Sequence, residues 1–347
     1  MSAFSTLESV QQYYGKILAS TKDLQTSACC TADAMPAHLR PFLADIHPEV
    51  QDKFYGCGSP IPSELEGQTV LDLGSGSGRD CYLLSRLVGE RGRVIGVDMT
   101  AEQLTVARRH VDWHTARYSY RAPNVEFRQG YIEDLEGAGI ATGSVDVVVS
   151  NCVINLSPNK GRVFSEILRV LRPGGELLFS DVFADRRIPA ALGQDPVLLG
   201  ECLGGALYHE DFRRLLLERG CRDFRIVAEN PLALGNTDIE RRVGMIAFTS
   251  RTVRAFKLDL EDRCEDYGQV AYYRGTIPEA PHGFILDDHH YFKTGMPHLV
   301  CSNTAAMLAS TRYAKHFRIA GDTSTHYGLF NCAPIKTSPV ASVGACC

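Results

Sequence analysis

The stretch Val70-Leu71-Asp72-Leu73-Gly74-Ser75-Gly76-Ser77-Gly78 sets a glycine-rich turn directly between a short apolar run and a helical pattern. A short apolar run of this kind reads as a strand buried on both faces, and such strands belong to parallel sheets covered by helices. After Gly78, Leu83, Leu84, Leu87 and Val88 recur with helical period. The alternation continues down the chain, with strand patterns at Thr69–Leu73, Arg93–Asp98, Val125–Gln129, Val145–Asn151 and Glu176–Ser180. Thr100-Ala-Glu-Gln103 reads as a capping box opening a helix that buries Leu104, Ala107 and Val111. Val163, Ile167, Val170 and Leu171 mark another helix, stopping at Pro173-Gly174-Gly175. The expected fold is α/β: a doubly wound, mostly parallel sheet, followed by a smaller mixed α/β region.

At about 100–200 residues per domain, 347 residues predict two domains. Residues 1–50 read as a helical extension, 51–235 as the sheet domain, 236–325 as the C-terminal mixed α/β domain and 326–347 as a flexible tail containing cysteine. Within the C-terminal part, Arg241–Leu258 reads as strand and Ser302–Phe317 as helix. Lys and Arg total 36 against 41 Asp and Glu, a net charge of −5, with no basic block. That balance argues against nucleic acid or an anionic membrane as partner. No apolar run approaches the ~20 residues that span a bilayer. Met1-Ser-Ala-Phe-Ser-Thr-Leu-Glu is neither a signal peptide nor a myristoylation site, so a cytoplasmic location is expected.

The glycine turn itself selects a ligand. A turn of this kind lets a ligand approach the backbone closely. Its spacing is G-x-G-x-G, and Arg79 stands where a dinucleotide binder would need a third glycine. Asp72, just before the glycines, repels a pyrophosphate but suits an ammonium group, which S-adenosylmethionine carries. Asp98 ends the second strand, where a carboxylate can hold both ribose hydroxyls. An isolated turn beside an acid need be nothing more than a turn; here strand, turn, helix and second acid fall in register. The candidate contacts are Asp72, Gly74, Ser75, Gly76, Gly78, Arg79 and Asp98, with Met99 packing on the adenine. Ile132 and Glu133 follow the third strand, Glu133 facing the adenine amino group, and Asn151 ends the fourth strand near the methionine part.

Twelve cysteines, at 29, 30, 57, 81, 152, 202, 221, 264, 301, 332, 346 and 347, are many for a chain without a leader. No C-x₂₋₄-C pair occurs, which excludes a zinc ribbon or knuckle. What remains is buried apolar cysteine, redox chemistry, or a thiolate site assembled from distant segments. Cys81 and Cys221 read as core, and Cys264, Cys301 and Cys332 stay open. Cys346-Cys347 reads as an inert tail or a metalloid-capturing pair, and Asp287-Asp288-His289-His290 as a solvated loop or a metal site.

Asp72–Asp80 with Asp98 resembles the class I S-adenosylmethionine-dependent methyltransferases, which are Rossmann-like. Four stretches are similar to the arsenic(III) methyltransferases: Asp23-Leu-Gln-Thr-Ser-Ala-Cys29, Tyr55-Gly56-Cys57-Gly58, Ser150-Asn-Cys152-Val-Ile-Asn-Leu156, and Gly200-Glu-Cys202-Leu-Gly-Gly-Ala-Leu-Tyr208. The resemblance implies that Cys29, Cys57, Cys152 and Cys202 serve catalysis. Cys57, Cys152 and Cys202 would hold trivalent arsenic and Cys29 would take a redox or relay part, which the adjacent Cys30 can share or replace. It also implies Tyr55 as a cofactor contact and S-adenosylhomocysteine as product. The partners expected are trivalent arsenic and a thiol reductant such as thioredoxin or glutathione, with no metal cofactor. The chemistry is coherent: a soft centre prefers thiolate sulfur, and arsenic held by three thiolates points a lone pair outward, so methyl transfer needs no general base. A carbon methyltransferase for a small aromatic or quinone shares the glycine loop but has no use for these cysteines. A thiol-rich binding protein without enzymatic activity is the other alternative.

Overall fold

The computed structural model describes Leu7, Gln11 and residues 35–54, 56 and 58–332. Two short helices, α1 (Arg40–Leu43) and α2 (Pro48–Gln51), lead into β1 (Thr69–Leu73), α3 (Arg79–Val88), β2 (Arg93–Asp98), α4 (Ala101–Arg109), α5 (Val111–Arg117) and β3 (Val125–Gln129). Then come β4 (Val145–Asn151), α6 (Lys160–Val170), β5 (Leu171–Ala184), α7 (Ala190–Gly193), α8 (Pro196–Gly200), β6 (Leu207–Tyr208), α9 (His209–Leu217), β7 (Phe224–Pro231), α10 (Thr237–Val243) and β8 (Phe248–Phe256). The main sheet runs β3-β2-β1-β4-β5-β8-β7, with β6 alongside β5. Strands β1 to β5 pair in parallel, and β8 lies antiparallel between β5 and β7.

Neighbouring residues on the central strands go to opposite faces, and both faces are covered. Leu71 and Val148 join Phe164, Ile167, Phe179 and Phe212 in one core. Val70 and Val147 join Leu83, Leu84, Leu104 and the N-terminal Leu39, Ile46 and Val50 in the other. That double burial is why the strands read as apolar runs. Strand order reverses between β1 and β4, and this reversal opens a crevice at their carboxyl ends, where doubly wound sheets take ligands.

The remaining elements are β9 (Glu265–Asp266), β10 (Gln269–Tyr273), β11 (Gly283–Ile285), β12 (Tyr291–Lys293), β13 (Pro297–Val300), α11 (Ser302–Ala309), β14 (Phe317–Ala320) and β15 (Gly328–Leu329). They build a small sheet, β13-β10-β14, a hairpin, β11–β12, and a long-range antiparallel pair, β9–β15. Their core contains Tyr273, Phe284, Phe292, Tyr313 and Phe317, and it also takes Phe256 from the end of β8. A buried ion network joins this region to the main sheet. Glu176 on β5 accepts from Arg254 (2.8 Å) and Tyr313 (3.1 Å) and pairs with Arg312 (2.6 Å).

Several expectations are corrected. The division at residue 236 cuts through the main sheet, because β8 is one of its strands. Arg241–Leu258 is not one strand: Thr237–Val243 is helical, and Met245 lies exposed in the turn before β8. Pro173-Gly174-Gly175 lies inside β5's span, in a bulge where pairing passes from Val145↔Leu171 to Val147↔Glu176. Thr100 caps α4 without a side-chain bond, and its amide goes to the Asp98 carboxylate at 2.7 Å instead of to Gln103. The helix starting at Ser302 stops at Ala309, and Phe317 opens a strand. The tail is pinned through Leu329, because β15 pairs with β9. Asp287 is no part of a solvated loop: it is buried, accepts the amides of His289 and His290 at 2.9 Å each, and pairs with Arg225 at 3.5 Å. No helix among the described residues is long and apolar enough to cross a membrane.

Candidate active site

A cleft with about 980 Å³ of empty space, its mouth included, lies at the β1/β4 crevice. Its lining includes Asp72, Gly74, Ser75, Gly76, Asp98, Met99, Ile132, Glu133, Asn151 and Cys152. The turn after β1 shapes one wall. Gly74, Gly76 and Gly78 all have left-handed φ (+70°, +53° and +90°), which glycine adopts without strain. A Cβ on Gly76 would meet no protein atom, so the space beside it is free for a ligand. A Cβ on Gly74 would strike Val153, and one on Gly78 would strike Phe127.

Four of the turn's five amides are already committed. Gly74 and Ser75 donate to the Val97 carbonyl at 2.8 and 3.1 Å, Gly78 donates to Ser75 at 2.9 Å, and Gly76 donates to Asp98 at 2.9 Å. A phosphate would therefore find few donors here, and it would face three carboxylates. Burial and the nearby Asp80 push Asp72 well above the usual carboxylate range, and the Cys81 thiol donates to it at 3.2 Å. Burial also raises Asp98, against the amides it accepts. A cationic ligand would relieve this repulsion. Ser75 Oγ is buried with no hydrogen-bond partner, an orphan that a ligand polar group would satisfy. These features fit S-adenosylmethionine, with its ammonium and sulfonium charges and its ribose diol.

At the far end of the cleft stands sulfur. Cys152 follows β4, its amide donating to the Ser180 carbonyl at 2.8 Å. The Cys202 thiol donates to the Cys152 carbonyl at 3.3 Å. The sulfurs of Cys152 and Cys202 and a carboxylate oxygen of Asp181 all lie within 4.8 Å of one another. Both cysteines have left-handed φ, +56° and +61°. For a residue with a Cβ that costs about 1–2 kcal/mol, and strain of this kind gathers at functional sites. Cys152 is disulfide-bonded. Asn155 fixes the second loop by donating to the carbonyls of Val182 (2.6 Å) and Cys202 (3.4 Å). Gly205 must be glycine there, because a Cβ would run into the Asn155 carbonyl.

Comparison with known proteins bears on this arrangement. Residues 64–220 match the model of a methyltransferase domain, and residues 266–341 match that of an arsenite methyltransferase C-terminal domain. An arsenite methyltransferase of Aquipseudomonas alcaligenes is 56% identical over 324 residues, 93% of each chain. The chain belongs to the arsenite methyltransferase family. The human arsenite methyltransferase is 45% identical over 314 residues, 89% of this chain and 82% of that one. The crystal structure of an arsenic(III) S-adenosylmethionine methyltransferase from Chlamydomonas reinhardtii superposes with a TM-score of 0.83 at 51% identity, covering 86% of this chain and all of that one.

Among the residues expected from the arsenite methyltransferase resemblance, the fold gathers Cys152 and Cys202 with most of the candidate cofactor contacts. Cys29, Cys30, Tyr55, Cys57, Cys346 and Cys347 lie outside the described residues. Gly78 and Arg79 do not line the cleft. Gly78 packs on Phe127, while Arg79 pairs with Asp80 at 2.7 Å and lies 2.9 Å above the Phe54 ring. Asn151 lines the cleft, but its amide holds both the N–H and the carbonyl of Gly58 (3.2 and 2.9 Å) and so anchors the chain beside Cys57. Glu133 accepts from the Ser157 hydroxyl.

Sequence reasoning missed Asp80 and Asp181. Asp181 is buried beside the two sulfurs and accepts the Asn155 amide at 3.0 Å; burial pushes it up to about 7. In the sequence it lies inside the run Leu177–Ala184 and carries no signal of its own, because β5 continues past it. Cys81 and Cys221 are buried as expected, and burial pushes the Cys221 thiol up to about 12, which leaves it unreactive.

Proposed function

We propose that this chain transfers methyl from S-adenosylmethionine to trivalent arsenic bound by cysteine thiolates, with Cys152, Cys202 and Cys57 as the sulfur set. The observation that carries the reading is the placement of the Cys152 and Cys202 sulfurs within 4.8 Å of each other at the end of an acid-lined cleft. S-adenosylmethionine, when bound, supplies a methyl group on a cationic sulfur that departs as a neutral thioether.

In this reading Asp72 faces the ammonium group and Asp98 the ribose diol. Met99, Ile132 and Glu133 surround the adenine. The arsenic lone pair displaces the thioether: an As–C bond forms and a C–S bond breaks. No proton moves in that step, so no general base is required. Holding the reactants in line contributes up to about 7–11 kcal/mol. Arsenic formally loses two electrons to the new bond. A cysteine pair, with Cys29 in the relay, returns two electrons by closing a disulfide, and an external thiol such as thioredoxin or glutathione reopens it. The disulfide at Cys152 is consistent with such a cycle. Cys81, Cys221, Cys264, Cys301 and Cys332 carry thiols, which fits a reducing compartment, and we assign the cytoplasm and a role in arsenic detoxification.

The test is to incubate the reduced protein with arsenite, S-adenosylmethionine and a thiol reductant, then separate the arsenic species. Methylated arsenic and stoichiometric S-adenosylhomocysteine are expected. Arsenite bound with no S-adenosylhomocysteine formed would overturn the reading. Cys29→Ser and Cys57→Ser should slow the first methylation more than a later one, because monomethylated arsenic needs only two thiolates.

A further inference from the structure

We propose that Cys264, Cys301 and Cys332 form a second trithiolate site, which binds trivalent arsenic away from the methyl-transfer cleft; this rests on the reading that trivalent arsenic is the substrate. The three residues are far apart in sequence, yet their sulfurs all lie within 4.8 Å of one another. None of them lines the cofactor cleft.

The fold builds this convergence from three directions. Cys301 precedes α11, and its sulfur accepts the Thr304 amide at 3.4 Å, with the Thr304 hydroxyl 3.3 Å away. Cys264 leads into β9, and its carbonyl accepts the Phe330 amide at 2.8 Å. That bond and the β9–β15 pairing bring Cys332 alongside. Cys301 is buried, while Cys264 and Cys332 are half-buried, so an ion has a way in.

The surroundings favour thiolate. Arg225 lies with Nη2 3.8 Å from the Cys301 sulfur, and its buried Nε–H has no partner.

The number of sulfurs chooses the ligand. Structural zinc takes four protein ligands in a tetrahedron. No fourth Cys, His, Asp or Glu joins the group among the described residues. Three thiolates complete the shell of trivalent arsenic. Binding balances as As(OH)₃ plus three thiols giving three As–S bonds and three waters, with no change of oxidation state.

The experiment uses the full-length, reduced chain loaded with arsenite, desalted, and weighed by native mass spectrometry. Zn²⁺ serves as a parallel arm. About two arsenic atoms per chain are expected, falling to about one in Cys264→Ser/Cys332→Ser and to about one in Cys152→Ser/Cys202→Ser. X-ray absorption on the second double variant should show a shell of three As–S contacts. Cys301→Ala is a further variant removing only the buried sulfur, and S-adenosylmethionine binding reports that each variant is folded. No arsenic on folded Cys152→Ser/Cys202→Ser, or retention of Zn²⁺ in place of arsenic, overturns the second site. Either result leaves the methyl-transfer reading intact, because that reading stands or falls on S-adenosylhomocysteine production by the unaltered chain.

Discussion

The two sulfur clusters of this chain differ in the covalent state of their sulfur and in backbone geometry. Cys152 and Cys202 stand next to Asp181, a buried acid raised to about 7. Cys264, Cys301 and Cys332 stand next to Arg225, a buried cation. Lys160 stands beside Asp181 and Cys202 as well, so the first cluster carries an acid and a cation together, and its Cys152 is held in a disulfide. At the second cluster Arg225 is shared with Asp223 and Asp287, and all three cysteines are free thiols. Backbone geometry divides the same way: left-handed φ at both Cys152 and Cys202, and extended backbone with φ −71° at Cys301. A strained backbone and a disulfide suit a site that turns over; a relaxed backbone and three free thiols suit one that keeps its cargo.

The sharpest way to break this contrast is to remove a cleft sulfur. Cys152→Ser or Cys202→Ser should abolish methylation, read as S-adenosylhomocysteine release; activity above a few per cent would place the reacting arsenic elsewhere. Glu176→Gln tests whether the two clusters share one folded body. It strands Arg254 and Arg312 in the interior and should cost about 3–5 kcal/mol by urea titration, in a single transition.

The same residue fixes a pH dependence. Burial alone would raise Glu176, but Arg312 and Arg254 outweigh it and hold it below the usual carboxylate value. Its contribution is therefore complete above about pH 4.3, the unfolded value, and is lost as pH falls through the lower folded one. A variant whose acid limb matches that of the unaltered protein would show that the pair contributes nothing.

Asp98→Ala should raise the S-adenosylmethionine KM about 10- to 100-fold, from the loss of charged hydrogen bonds worth about 1.5–3 kcal/mol. Arsenite binding at either cluster should not change. Cys221→Ala supplies the smallest effect: about 1 kcal/mol of stability and no loss of bound arsenic, since this buried cysteine belongs to neither cluster.

The sheet was legible because its strands are apolar runs punctuated by glycine, and β1 to β4 fall on the expected residues. Local pattern misled where long-range pairing decides. Pro173-Gly174-Gly175 looks like a helix stop, but β4 pairs past it through a bulge. Phe248–Phe256 looks like part of a second domain, but it fills the gap between β5 and β7. In the cleft, carboxylates and glycines at strand ends announced themselves by position. Asp181 did not, since its role depends on a loop that arrives from Cys202. Arg79 seemed a ligand contact by its place in the turn, whereas its charge is already taken by Asp80. The convergence of Cys264, Cys301 and Cys332 leaves no trace in spacing, because β9, β15 and α11 meet only through tertiary pairing.

The inward-bonded amides of the Gly74–Gly78 turn bear on which small molecules the cleft admits. Every adenine nucleotide shares its adenosine half with the methyl donor, so base and sugar contacts cannot tell them apart. Discrimination falls to the opposite end of the ligand, where a triphosphate tail would meet carboxylates and few donors. Weaker binding of ATP and NAD than of the methyl donor is the expected consequence of the inward-bonded amides and the Asp72 and Asp98 carboxylates together, with no bulky side chain needed.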